Sequence, residues 1–167
     1  RQDDGSLSWR DLRKDDNAYW DKNWFLAGLS CSQGCWQRHF YSQSRKREMI
    51  NYSVAISTNG RPNGLINADV SLDWLSRMLK ELGKPEGAYA FVLDESGAYL
   101  AHDNPALVGK HGQANLLQAL ASHQASRVRL AVAQNPQAQG KPVWVYFVPV
   151  EGTHWRFGLA MPESRIY

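Results

Sequence analysis

Cysteine is scarce, with two in 167 residues. Cys31 and Cys35, in LSCSQGCW, lack both the CxxC spacing of a redox pair and the four ligands of a structural zinc. Long apolar runs are missing too. The longest, near VWVYFVPV at 143–150, falls far short of the roughly 20 residues a membrane helix needs. The opening RQDDGS is polar, so no leader is expected here. Nor does charge of one sign dominate. Net charge is +3, with 13 basic and 10 acidic residues in 1–85 and 6 of each in 86–167. A balance this even does not call for a nucleic-acid partner. The RKRE run at 45–48 reads as a solvated loop.

Catalytic signatures are absent as well. The chain has no G-x-S-x-G elbow, no phosphate loop and no dinucleotide fingerprint. His39, His102, His111, His123 and His154 show no metal-ligand spacing, and His102 beside Asp103 reads as a partly exposed residue closing a strand. The pairs Asp3/Asp4 and Asp15/Asp16 lack the apolar setting that would separate their pKa values. No catalytic residue, metal or cofactor is expected.

Enough hydrophobic material is present for a core. Apolar residues make up 43% and aromatics 11%, including seven tryptophans. A chain of this size buries roughly 70% of the surface its unfolded form exposes. Cys31 and Cys35, with Gly34 between them, can close a small disulfide loop worth about 2 kcal/mol. That favours an oxidising compartment, with two free cytosolic thiols as the alternative.

Residues 1–20 are charged, with Trp9, Leu12 and Tyr19 as anchors for short turns. Residues 20–42 are aromatic-rich but have no period, and a short helix is expected near 21–28. MINYSVAIST (49–58) alternates through Ile50, Tyr52, Val54 and Ile56. NGRPNG (59–64) reads as a turn, and 64–71 as the partner strand. From Asp69 to Leu82 the period becomes helical through Leu72, Leu75, Leu79 and Leu82, with Ser71 as N-cap and Gly83 as the stop. Strands are then expected at 87–96 and 97–103, a helix at 115–124, and strands at 126–134, 141–150 and 154–162. Short turns and the two-residue period predict an α+β fold, with antiparallel sheets and flanking helices.

FVLDESGAYLAHDNPALVGK (91–110) and VYFVPVEGTHWRFGLAMPES (145–164) resemble a PAS-like Cache domain of the kind found in extracytoplasmic sensors. NWFLA (23–27), NYSVAI (51–56) and GLINADVSLDWL (64–75) resemble the later half of a membrane-distal module in a double-Cache sensor. The resemblance spans about residues 19–162. It implies a partial membrane-distal Cache module with linking helix over 1–83 and a membrane-proximal module over 84–167. The long opening helix and first strands usual in such domains have no counterpart, which points to an incomplete distal module.

The amino-acid-binding variety carries Arg-x-Trp-[Tyr/Phe], then Tyr, then Asp. The matching positions are Lys22, Trp24, Phe25, Tyr52 and Asp69. Lysine in place of arginine meets a carboxylate as a point charge rather than as a planar fork. The resemblance therefore implies a small polar or carboxylate ligand. Trp24 and Phe25 would be walls, Lys22 an anion contact, and Tyr52 and Asp69 polar contacts. The plainer alternative has Trp24 and Phe25 packing a sheet, Tyr52 making one core hydrogen bond and Asp69 capping the following helix.

The implied role is a periplasmic small-molecule sensor of a bacterial membrane receptor, tethered through flanking helices outside this chain. Its output would be a histidine kinase, diguanylate cyclase, chemoreceptor signalling helix or PP2C-type phosphatase. DVSLDWLSRMLKEL looks most like the linkers joined to the last type or to cyclases. The alternatives are an interaction or homodimerisation domain with a collapsed pocket, and a periplasmic hydrolase.

Overall fold

Residues 20–42 have no period to organise them, and local closures order them instead. The computed structural model describes residues 19–43, 45–82, 87–121, 127–130 and 142–166. In it the expected short helix is α1 (Asn23–Gly28), without a side-chain cap at Lys22. Six residues are too few to hold a helix unaided in water. Just beyond it, a disulfide joins Cys31 and Cys35, with Cα atoms 5.5 Å apart. Gly34 within that loop has a φ of 87°, and a Cβ there would run into the Tyr52 hydroxyl.

Two strands, β1 (Cys35–Trp36) and β2 (Phe40–Ser42), then stand where an irregular run was expected. They are too short to show alternation, and a longer neighbour supplies their ladder. That neighbour is β3 (Arg47–Thr58). Trp36 lies opposite Tyr52, and Phe40 opposite Met49, both antiparallel.

The turn after β3 is tighter than expected. Asn59 and Gly60 have φ of 52° and 74°, the positive values that a two-residue type I′ connection needs. β4 therefore starts at Arg61 and runs to Ser71, so Arg61–Gly64 are strand rather than turn. Pro62 fits there because β4 pairs only with β3 among the described residues, and an edge strand tolerates a missing N–H.

The helical period after β4 gives α2 (Leu72–Glu81), with Leu72, Ser76 and Leu79 buried. Asp73 in the first turn and Lys80 in the last suit the helix dipole. Ser71 occupies the N-cap position, but its side chain makes no capping bond and its Oγ is buried without a partner. The extended backbone of Leu82 ends the helix. The expected stop at Gly83 lies outside the described residues.

The rest of the chain forms a five-stranded antiparallel sheet. Its strands are β5 (Tyr89–Leu93), β6 (Tyr99–His102), β7 (Arg127–Leu130), β8 (Val143–Pro149) and β9 (Arg156–Pro162). The order across the sheet is β6-β5-β9-β8-β7. A 3₁₀ turn at Pro105–Leu107 and α3 (Ala114–Ala121) lie between β6 and β7, and a second 3₁₀ turn, Glu163–Arg165, follows β9. Continuations expected at 122–126 and 131–141 lie outside the described residues, as do residues 1–18.

Phe91, Leu93, Tyr99, Leu116, Val143, Val145, Phe147 and Ala160 form the core of this sheet. Gly158 faces Phe91 across the β5–β9 ladder, and any Cβ there would strike the ring. α2 packs on β6 and β5, and α3 on β7. The architecture is α+β, with antiparallel sheets and flanking helices. The chain divides into two compact units. One takes in the segment up to Gln37 and Tyr52–Asn67, the other Arg38–Asn51 and Ala68–Tyr167.

Candidate functional site

Asp69 lies near the end of β4 with its side chain exposed. It lines a cleft of about 370 Å³ together with Arg45, Met49, Val70, Ser71 and Trp74. A guanidinium, a carboxylate and an indole thus share one concave surface, the mixture that small polar ligands use. Arg45 belongs to the RKRE run expected to be a solvated loop. It is exposed and lines this cleft, while Arg47 and Glu48 already belong to β3.

Lys22, Trp24, Phe25 and Tyr52 all fall in the first unit, and Asp69 falls in the second. Lys22 is exposed, and its carbonyl accepts from the Phe25 and Leu26 amides at 3.0 and 3.1 Å. Trp24 meets Phe25 edge to face at 5.8 Å, and Phe25 meets Tyr19 at 5.4 Å. Tyr52 is elsewhere, edge to face with Trp36 at 5.2 Å and over Gly34 of the disulfide loop. The three aromatic residues therefore fall in two groups, Trp24 and Phe25 on α1 with Lys22 at its N-cap, and Tyr52 where β1 meets β3.

A set of polar side chains that the sequence reading passed over ties the first unit together. Gln37 Nε2 donates to the Trp24 carbonyl at 2.9 Å and to Ser53 Oγ at 2.6 Å. Ser53 Oγ in turn donates to Asn67 Oδ1 at 2.5 Å. Ser53 is fully buried. Nothing in the sequence sets these three apart, because each stands among other polar residues, Arg38 and His39 beside Gln37, Asn51 near Ser53 and Asp69 near Asn67.

Burial shifts two ring groups of the second unit, His102 and Tyr99. His102 closes β6 as expected, but it is 1% exposed rather than partly exposed. Its ring stacks on Phe91 at 5.9 Å and meets Tyr99 edge to face at 4.9 Å. Nδ1 accepts from the Asn104 amide at 2.8 Å, and Nε2 is buried without a partner. Burial lowers its pKa to about 4, against a smaller upward pull from Asp103. Burial likewise pushes the Tyr99 phenol up to about 12.

A second cleft, of about 520 Å³, lies beside the β5–β6 and β8–β9 turns and includes Asp94, Glu95, His154 and Arg156. Asp94 Oδ1 is committed to its turn, accepting from the Ser96 amide, the Ser96 hydroxyl and the Ala98 amide at 2.9, 2.7 and 2.9 Å. Its Oδ2 faces His39 Nδ1 at 3.5 Å. Among the described residues no group of His, Cys, Asp and Glu is placed to hold a metal, and no helix is long and apolar enough to cross a membrane.

Comparison with known proteins follows the same lines. A Cache domain family model matches residues 2–167. The methyl-accepting chemotaxis protein PscA of Pseudomonas syringae pathovar tomato is 22% identical over 150 residues, which cover 87% of this chain and 23% of that protein. The ligand-binding domain of the Pseudomonas fluorescens chemoreceptor CtaA, solved with L-leucine, superposes with a TM-score of 0.69 at 23% identity, covering 90% of this chain and 62% of that one. The ligand-binding domain of Mlp24 with asparagine gives 0.67 at 18% identity, covering 94% and 61%. The chain thus spans about a quarter of the curated relative and less than two thirds of these solved domains.

Proposed function

Since the chain belongs to the Cache domain family, we propose that it is the extracytoplasmic sensing part of a bacterial membrane receptor and that it binds a small polar or carboxylate ligand. The match over residues 2–167 carries this reading. The cleft that brings Arg45, Asp69 and Trp74 together supports it, as do the amino-acid ligands of similar solved domains, L-leucine and L-serine on CtaA and asparagine on Mlp24. Residues 1–83 would be part of a membrane-distal module and 84–167 a membrane-proximal one. Lys22, Trp24, Phe25, Tyr52 and Asp69 would contact the ligand, Lys22 as an anion contact and Asp69 as an amine or hydroxyl contact.

Sensing on these terms is a difference in affinity between two states. A ligand shifts only the state it binds better, and a few kcal/mol suffice to invert a modest bias. β9 and the Glu163–Arg165 turn would pass the shift through a flanking membrane helix to a cytoplasmic output domain. A chemoreceptor output has the support of the named relatives PscA and CtaA.

Thermal shift with free L-amino acids tests the reading. A ligand at 100 times its Kd adds about 2.7 kcal/mol to stability, and Asp69→Ala is expected to abolish the shift. An Asp69→Ala protein that responds like the parent would remove Asp69 from the site. A second reading, an interaction or homodimer surface, draws on the half-exposed Trp74, Met78 and Leu82 on and just after α2. Concentration-independent monomer mass would count against it.

A further inference from the structure

We infer that Gln37, relayed through Ser53 and Asn67, is a positioning residue for the Trp24 wall of the ligand surface, an inference that rests on the sensing role proposed above. The problem it solves is visible in α1. This helix has six residues and no side-chain cap, so its own hydrogen bonds cannot fix where Trp24 stands. What anchors it is side-chain chemistry from the sheet.

The donor count closes without remainder. The Gln37 amide has two N–H groups. One goes to the Trp24 carbonyl and the other to Ser53 Oγ. The Ser53 hydroxyl has one proton, and it goes to Asn67 Oδ1. Each group in the row thus has a fixed donor or acceptor direction, running from α1 across β3 to β4. Because Ser53 is fully buried, an unmade bond there leaves a desolvated polar group. Gly28 completes the fit. A Cβ on it would lie 2.8 Å from Leu65 Cδ2, 3.0 Å from Gln37 Nε2 and 3.3 Å from Ser53 Cβ, so the helix can approach the row only through a bare glycine. Asn67 stands on β4, so within the first unit the row ties the helix that carries Trp24 to two strands.

Gln37→Met keeps length and removes both donors. Gln37→Glu keeps shape but turns oxygen lone pairs toward the Trp24 carbonyl and toward a serine whose only proton is already given. Asn67→Asp retains an acceptor for Ser53, and Asn67→Leu does not. Two readouts on the whole chain decide the matter: hydrogen exchange of the α1 amides, and the Kd for L-leucine, L-serine, L-alanine and L-asparagine by calorimetry. Gln37→Met and Asn67→Leu are expected to speed exchange in α1 about tenfold and to weaken binding about tenfold. Gln37→Glu should do more, and Asn67→Asp should stay near the parent. Exchange in β8 and β9 should not move, which separates positioning from general destabilisation. Unchanged α1 exchange in Gln37→Met overturns the inference, and so does an Asn67→Asp protein as impaired as Asn67→Leu. If none of the four amino acids binds the parent, the proposed ligand class fails, while α1 exchange still decides the role of Gln37.

Discussion

The two sheets hold themselves together by different means. In the five-stranded sheet β9 is paired on both edges, by β5 and β8. Apart from His102, its buried positions are apolar and tightly filled, with Phe91, Leu93, Val143, Val145 and Ala160 between 0% and 1% exposed. In the four-stranded sheet β4 pairs with β3 alone among the described residues. There the buried positions of β3 include Asn51 and Ser53, while Ile56 and Ile66 stand 47% and 63% exposed. One sheet is stabilised by displaced water and packing. The other leans on specific connections: a disulfide, a tight turn and the Gln37–Ser53–Asn67 row. A packed core is tolerant of chemistry and intolerant of volume. A set of connections is the reverse.

Acid gives the largest contrast. Above about pH 6.5 His102 is neutral in both the folded and the unfolded chain. Below that, the unfolded chain takes up a proton that the folded chain refuses until about pH 4. Stability is therefore full above the ordinary histidine value and falls as the pH drops through this window, by up to about 3 kcal/mol. Denaturant unfolding of the five-stranded sheet, followed between pH 7 and pH 4, should show this loss. His102→Phe should flatten it while keeping a ring between Phe91 and Tyr99. A His102→Phe protein with the parent's slope would place the acid sensitivity elsewhere and weaken the contrast between the sheets.

Reduction sharpens the comparison from the other side, with a smaller effect. The loop closed by Cys31 and Cys35 is short, and the chain-entropy model assigns it about 2 kcal/mol. Its structural reach is local, because the Cys31 carbonyl accepts the Ala55 amide of β3 at 2.9 Å. Cys31→Ser with Cys35→Ser should expose the Ala55 amide to exchange and lower the stability of the four-stranded sheet. Amides of β5, β8 and β9 should keep their protection. Titration of the native protein without reductant should find no free thiol. Two reactive thiols there would remove the disulfide from the account.

These differences also explain what could be read in advance. Strands β3, β8 and β9 and helix α2 are long enough for a period to show, and their positions follow from it. β1 and β2 have two and three residues, too few for any alternation, and exist only because β3 offers a ladder. The start of β4 was hidden because Pro62 and Gly64 carry turn chemistry that an edge strand accommodates. Alternation in β3 suggested Ile50, Tyr52, Val54 and Ile56 as the inward set. Met49, Ile50, Asn51 and Ser53 are buried and Ile56 is half exposed, so the covered positions do not alternate, and Ser53 is covered with its hydroxyl hydrogen-bonded to Gln37 and Asn67. Gln37 and Asn67 were hidden as well. Among the candidate contacts, resemblance pointed to Asp69, but nothing local in the sequence marks Arg45 or Trp74 as its neighbours in a cleft. Arg45 precedes Asp69 by 24 positions that include most of β3 and β4, and Trp74 follows it on α2.

The smallest expected effect tests where the packed sheet hands over to the end of the chain. Glu163 follows β9 directly, and both its oxygens accept from Arg129 of β7 at 2.8 Å. The Trp144 indole donates to the same carboxylate at 3.3 Å, and the Arg127 guanidinium lies 5.1 Å from the Trp144 ring. The Arg129 bonds hold the Glu163 carboxyl below its usual range, against a smaller opposing pull from burial. The contact should therefore persist through mildly acidic solution and fail only in stronger acid, when the carboxyl protonates. Glu163→Gln removes the charge but leaves an oxygen for one bond. Because the pair is solvent-exposed and screened by salt, global stability should hardly move. Exchange at the Glu163 amide, which donates to the Pro142 carbonyl at 3.0 Å, should quicken, and more so at low salt, where the parent's pair is strongest. Equal protection in the variant and the parent would mean that backbone pairing alone holds the chain end to the sheet. The five-stranded sheet would then be closed by packing throughout, with no connection of the kind on which its four-stranded counterpart depends.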